Sequence, residues 1–133
     1  MSLPWVSRRY LPALGFAVGI LVTSLVPVPE TGGETLPTLF GVAVDKWVHA
    51  AGYGLLTALL VRARRCRDAA TVAGFAALVA GYGAAIELLQ WPLPARGASG
   101  LDALANAAGA ALAALAWLAV VGRREGRTTR SEQ

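Results

Sequence analysis

Residues 69–86 read AATVAGFAALVAGYGAAI, eighteen positions without one charged side chain. A membrane helix needs about 20 mostly apolar residues at about 1.5 Å rise each. This run reaches that length by continuing through Glu87 to Trp91, where Pro92 and Pro94 stop it. Three other stretches share its character. Upstream, a span starts near Val44 and runs to Val61, with Asp45 and Lys46 at its mouth. Further upstream, twenty uncharged residues separate Arg9 from Glu30, and the helical part ends at Val26 because Pro27 and Pro29 follow. Downstream, residues 103–121 are nineteen uncharged positions interrupted in polarity only by Asn106. The reading is an all-α, membrane-embedded four-helix bundle in one domain over residues 1–133, with spans at about 10–26, 44–61, 69–91 and 102–121.

Composition agrees. Apolar residues make up 56% of the 133 and charged residues 15%, against about 25% charged in average soluble domains. A disordered chain and a disulfide-stapled scaffold are excluded, the second because Cys66 is the single cysteine. Position explains the net charge of +4. Ten basic residues fall on one side of a four-span arrangement: Arg8, Arg9, Arg62, Arg64, Arg65, Arg67, Arg123, Arg124, Arg127 and Arg130. Only Lys46 and Arg96 fall on the other, with the acids Glu30, Glu34, Asp45, Glu87 and Asp102. Basic residues mark cytoplasmic loops, so both termini are expected in the cytoplasm of a multi-pass cell-membrane protein. The charge is then a topology signal and no nucleic-acid partner is expected. Trp5 and Trp117 fall near the inner boundary, Trp47 and Trp91 near the outer one. Cys66, in the inner Arg-rich loop, is a reduced structural thiol or a site of reversible lipidation.

Small-residue stripes predict which faces meet, since membrane helices associate where backbones approach closely. At about 100° per residue, Ala73, Ala76, Ala80, Gly83, Ala84 and Glu87 share an arc of the third helix, opposite Phe75, Leu78, Tyr82 and Leu89. On the fourth, Asp102, Asn106, Gly109 and Ala113 share a face, opposite Leu104, Leu115 and Leu118. The second carries Asp45, His49, Gly52, Tyr53 and Leu56 on one stripe. Gly15-x-x-x-Gly19 of the first predicts close packing.

The polar members of these stripes gather at the outer ends: Asp45, Lys46, His49, Tyr53, Glu87, Gln90, Arg96, Ser99, Asp102 and Asn106. Ionisable groups inside a span are expensive and read as functional by default. Each also has a structural role open to it. Asp45, Ser99 and Asp102 can cap helices, Glu87 can pair with Arg96, Asn106 can join two helices, and His49 can be a hydrogen-bonded core group.

Asp45-Lys46-x-x-His49-x-x-x-Tyr53-x-x-Leu56 resembles the first signature of VanZ-like membrane proteins. Glu87-x-x-Gln90 followed by Arg96-x-x-Ser99-x-x-Asp102-x-x-x-Asn106-x-x-Gly109 is similar to the second. The resemblance covers residues 10–121 and departs at Ala113, where the family often has a further glycine. It implies a small bacterial or archaeal integral membrane protein of the cell envelope and supplies no reaction. Reduced susceptibility to teicoplanin, associated with the family's namesake, is not carried over.

Two functions compete. In one, the outer cluster binds an anionic or lipid-linked envelope component, such as a cell-wall precursor, or a partner membrane protein. In the other, a membrane enzyme acts on a phosphate-bearing or lipid-linked substrate. Arg96 and Lys46 would then neutralise an anionic group, and His49, Glu87 and Asp102 are the catalytic candidates, His49 and Glu87 as an acid/base pair. No nucleophile motif, phosphate loop or standard metal signature accompanies them, and no cofactor or metal is expected. A transporter and a purely structural bundle are the remaining readings.

Overall fold

The computed structural model describes residues 8–26, 37–93 and 99–130, with side chains of the last helix described through Arg124. Among the described residues, the chain is all-helical apart from one minimal hairpin. A 3-10 turn, Arg8–Tyr10, leads into α1, Leu11–Leu25, followed by α2, Val44–Arg64, α3, Ala69–Gln90, and α4, Gly100–Arg130. Among the described residues, two helices are long and apolar enough to cross a membrane, Ala69–Gln90 and Gly100–Arg124. Only 28% and 22% of their most apolar windows are buried inside the protein, so their apolar surface faces outward rather than into a core.

Local chemistry sets the helix ends. Pro12 lies in the first turn of α1, where its missing N–H costs nothing. Val26, which precedes a proline, is extended at φ −70° and ψ 125°. The Asp68 carboxylate accepts the Thr71 N–H at 2.7 Å and caps α3. That bond holds its carboxyl below the ordinary 3.8. α2 ends at Arg65, which takes the left-handed conformation, φ 56°. α4 continues to Arg130 rather than stopping near Val121. Apolarity ends at Val121, but Arg and Glu are good helix formers and no proline follows.

The hairpin is a feature the sequence reading did not contain. β1, Thr38–Leu39, pairs antiparallel with β2, Val42–Ala43, Leu39 opposite Val42. Phe40 and Gly41 between them both have positive φ, 54° and 76°, as a two-residue type I′ turn requires. The Trp47 indole N–H donates to the Leu39 carbonyl at 3.2 Å, holding the hairpin against the start of α2.

α4 packs chiefly against α2 and next against α3, while α1 lies to one side against both α2 and α3. The α2–α4 contact is a backbone contact. A Cβ on Gly109 would lie 2.0 Å from the Ala50 carbonyl oxygen, and one on Gly54 would lie 3.1 Å from the Gly109 oxygen. Gly83 of α3 is covered by Tyr53 and Asn106. One core cluster holds Ala13, Tyr53, Leu56, Val79 and Ala110. The other, at the Arg-rich end, holds Val61, Cys66, Val72 and Ala114, with the Trp117 indole donating to the Cys66 carbonyl at 2.9 Å.

The expected face of α3 needs correction. Ala73 and Ala84 are exposed, and the buried side is Val72, Val79, Gly83, Ile86, Glu87 and Gln90. Its centre is rotated by roughly 70° from the small-residue arc, at about 100° per residue. The cause is α1. Tyr82, expected to face away from the bundle, donates its hydroxyl to the Ala17 carbonyl at 2.6 Å, and Phe75 is half-buried against the second cluster. On α4 the expected face is the buried one, although Leu118 is half-buried rather than outward.

Candidate functional site

The start of α2, the end of α3 and the start of α4 meet at one end of the molecule, and three polar links join them. The Lys46 ammonium lies between two carboxylates, 2.6 Å from Asp45 Oδ2 and in contact with Asp102 Oδ1. His49 Nδ1 and Asn106 Oδ1 are 2.9 Å apart. With the amide oxygen facing the ring, Nδ1 carries the proton and donates, and in the neutral ring Nε2 is then an acceptor. Glu87, 7% exposed, accepts the backbone N–H of Ser99 at 2.9 Å.

Ser99 precedes α4, and its hydroxyl accepts the Asp102 N–H at 3.3 Å. Ser-x-x-Asp has the spacing of a capping box, in which the acidic residue normally returns to the cap's own N–H. Here Asp102 turns to Lys46, and Glu87 of α3 accepts that N–H instead. The box is divided between two helices. Asp45, by contrast, caps nothing. α2 begins at Val44 after Ala43 without a side-chain cap, and Asp45 sits in the first turn, where a negative charge complements the helix dipole.

The remaining candidates have their own places. Tyr53 is buried, its ring stacked on His49 at 6.5 Å between centroids and tilted against Tyr82 at 6.4 Å. Gln90 donates to the Ser24 carbonyl of α1 at 2.7 Å, so it fastens α1 rather than joining the Lys46 group. Arg96 lies outside the described residues. Asn106 is 1% exposed and holds His49. Asp45 Oδ1 is buried and takes no hydrogen bond. Asp102 Oδ1 takes none beyond its ion pair.

Two expected roles do not fit these partners. An ammonium held by two carboxylates is not available to neutralise an anion, so Lys46 is a bridge between α2 and α4. His49 and Glu87 have separate partners, Asn106 and the Ser99 N–H, and not each other. Among the described residues, no group of three or more His, Cys, Asp or Glu is arranged to hold a metal ion.

The sequence reading missed a groove of about 540 Å³ between α1 and α2. Phe16, Ile20, Val48 and Gly52 give it apolar walls, and His49 and Tyr53 form its polar side. Its signal in the sequence was Gly19 and Gly52, around which a Cβ would meet nothing within 4 Å. The groove's polar side is thus the same His49 that Asn106 holds. No protein-family model, curated protein or solved structure matches this chain.

Proposed function

We propose that this chain is a VanZ-like, multi-pass protein of the cell membrane. It forms a four-span bundle with both termini cytoplasmic, and binds a lipid-linked envelope component at the outer ends of its helices. Outward apolar side chains on every helix support the four spans: Leu14 and Val18 on α1, Val48 and Leu55 on α2, Leu78 and Leu88 on α3, Leu104 and Leu112 on α4. Soluble proteins rarely expose contiguous apolar surface on this scale. The ten-to-two distribution of basic residues supports the orientation.

The observation that carries the binding role is the position of His49. It is fixed by Asn106 on one side and lines the apolar α1–α2 groove on the other. A ligand with a hydrocarbon chain and a polar head suits that junction, the chain in the groove and the head at His49. In the neutral ring Nε2 is an acceptor, so a hydroxyl or amine donor on the head complements His49 at the groove's polar side. The test is native mass spectrometry of protein released gently from its own membranes. Gly19→Leu and Gly52→Leu fill space that is open in the native fold, and should remove a co-purified lipid without lowering stability. The same lipid retained by both variants would overturn the proposal.

A second reading, an enzyme acting on a phosphate-bearing or lipid-linked substrate, is favoured by one feature, the acceptor Nε2 left free by the His49–Asn106 bond. Lipid retained but turnover of that lipid abolished in His49→Gln would select it over simple binding.

A further inference from the structure

The end of the molecule opposite the Lys46 cluster carries a second cavity, of about 510 Å³. Five arginines surround it, Arg9, Arg62, Arg65, Arg67 and Arg124. They come from separate elements: the turn before α1, the end of α2, the α2–α3 connection and the far part of α4. No acidic residue lines the cavity among the described residues. Among the described residues, Arg9, Arg62, Arg65 and Arg124 form no ion pair there. Leu59, Ala63, Trp117 and Val121 give it apolar lining. Asp68, the nearest described acid in sequence, is spent on capping α3.

Two ordinary explanations cover part of this. Basic residues mark the cytoplasmic side, and cations near a helix C-terminus complement its dipole. Neither requires five arginines from separate elements to converge on a concave, partly apolar space. Neither accounts for Arg65. It occupies the left-handed cap of α2 at φ 56°, a position that costs any residue with a Cβ and is usually given to glycine.

We propose that this cavity binds the phosphodiester head group of an anionic phospholipid of the cytoplasmic leaflet, with the arginines around the phosphate and acyl carbons against Leu59 and Val121. Arginine presents a planar fork matched to phosphate oxygens. Basic cavities between membrane helices on the cytoplasmic side are where phosphorylated head groups bind. The inference rests on the membrane-spanning reading and is independent of the outer site.

The test uses the full chain in neutral detergent, with phosphatidylglycerol, phosphatidylcholine and inorganic phosphate as separate probes, read by native mass spectrometry and thermal unfolding. Phosphatidylglycerol should bind and raise the unfolding temperature, while phosphatidylcholine and millimolar phosphate should not. Equal stabilisation by phosphate would identify a soluble-anion site and overturn the lipid assignment, as would equal binding of phosphatidylcholine. Arg62→Gln/Arg124→Gln should weaken phosphatidylglycerol binding at least about tenfold. Arg64→Gln/Arg123→Gln makes the same charge change outside the cavity and should leave binding within about twofold; an equal loss would mean general surface charge rather than a site. Arg65→Gly separates binding from folding. It relieves the left-handed cap, so the protein should be at least as stable while holding the lipid less tightly. Unchanged binding in this variant and in Arg62→Gln/Arg124→Gln would refute the proposal.

Discussion

Replacing Gly109 by alanine is the sharpest test of the α2–α4 contact. The added Cβ would stand 2.0 Å from the oxygen, 2.6 Å from the carbonyl carbon and 2.7 Å from the Cα of Ala50. These are backbone atoms inside α2, so no rotamer change removes the clash. Carbon–oxygen contacts begin at about 3.3 Å, and the two helices must part by roughly 1 Å. In a membrane, helices are held together by close packing rather than by hydrophobic expulsion. A gap of roughly 1 Å forfeits up to about half of each contact's attraction, across Gly54, Ala110 and Ala114 together. Overpacking costs about 1–3 kcal/mol, and this clash belongs at the upper end. The better helix propensity of alanine returns about 1 kcal/mol, for a net loss of about 2 kcal/mol. Gly81→Ala is the matched control: an added Cβ meets nothing within 4 Å, so it should be neutral or stabilising by up to about 1 kcal/mol. Unfolding in mixed micelles of rising dodecyl sulfate content measures both. Gly109→Ala as stable as Gly81→Ala would mean that the helices do not cross at Ala50.

Three further outcomes are expected. Lys46→Met leaves Asp45 and Asp102 without their shared cation and should lose roughly 1–2 kcal/mol, a figure reduced for the partial exposure of the group; adding Asp102→Asn should restore part of it, and a further loss would refute the bridge. Asp68→Ala should destabilise at neutral pH. The capped carboxyl titrates below its ordinary 3.8, so its contribution is fully present above that value and disappears as pH falls through the lower folded one; the gap between wild type and variant should therefore hold from neutrality to about pH 5 and close in acid, as unfolding followed across pH will reveal. In a Cys66→Ser background, Thr38→Cys should react with an impermeant maleimide on intact cells and Thr129→Cys only after permeabilisation, with the reverse pattern inverting the topology; in the wild type, burial pushes the Cys66 thiol up, so it should react slowly until the protein is denatured.

The helices were legible because uncharged runs, prolines and arginines are one-dimensional signals. The contacts at Gly83 and Gly109 were legible as well, from small residues on a stripe, but Gly15 and Gly19, expected to pack closely by the same rule, are exposed with open space around them. The orientation of α3 was not. Its small-residue arc weighs Ala73 and Ala84 equally with Gly83, whereas the actual arc follows Tyr82 and Gln90, whose partners are backbone carbonyls of α1. Such acceptors leave no mark in a sequence. At the polar end, residues 45, 46, 49, 102 and 106 could be assigned to one level from spacing alone. Who pairs with whom could not, because Asp102 has the spacing of a cap and the geometry of a salt-bridge partner. The α1–α2 groove escaped notice because Gly19 and Gly52, which border it, read as equally suited to close packing, and only the distance between the two helices shows that the space beside them is open.

The way α1 is fastened has an evolutionary corollary. Two of the hydrogen bonds that dock it run from side chains of α3 to main-chain oxygens of Ala17 and Ser24. Every amino acid offers that oxygen, so the accepting positions place no demand on side-chain identity, while the donating positions depend on a phenol and an amide of particular reach. Drift is therefore lopsided across this contact. Positions 17 and 24 are free to change within the limits of size and apolarity, and 82 and 90 are not. The first helix can therefore be rewritten along its groove-facing side without being re-docked, while the anchoring pair on α3 stays fixed.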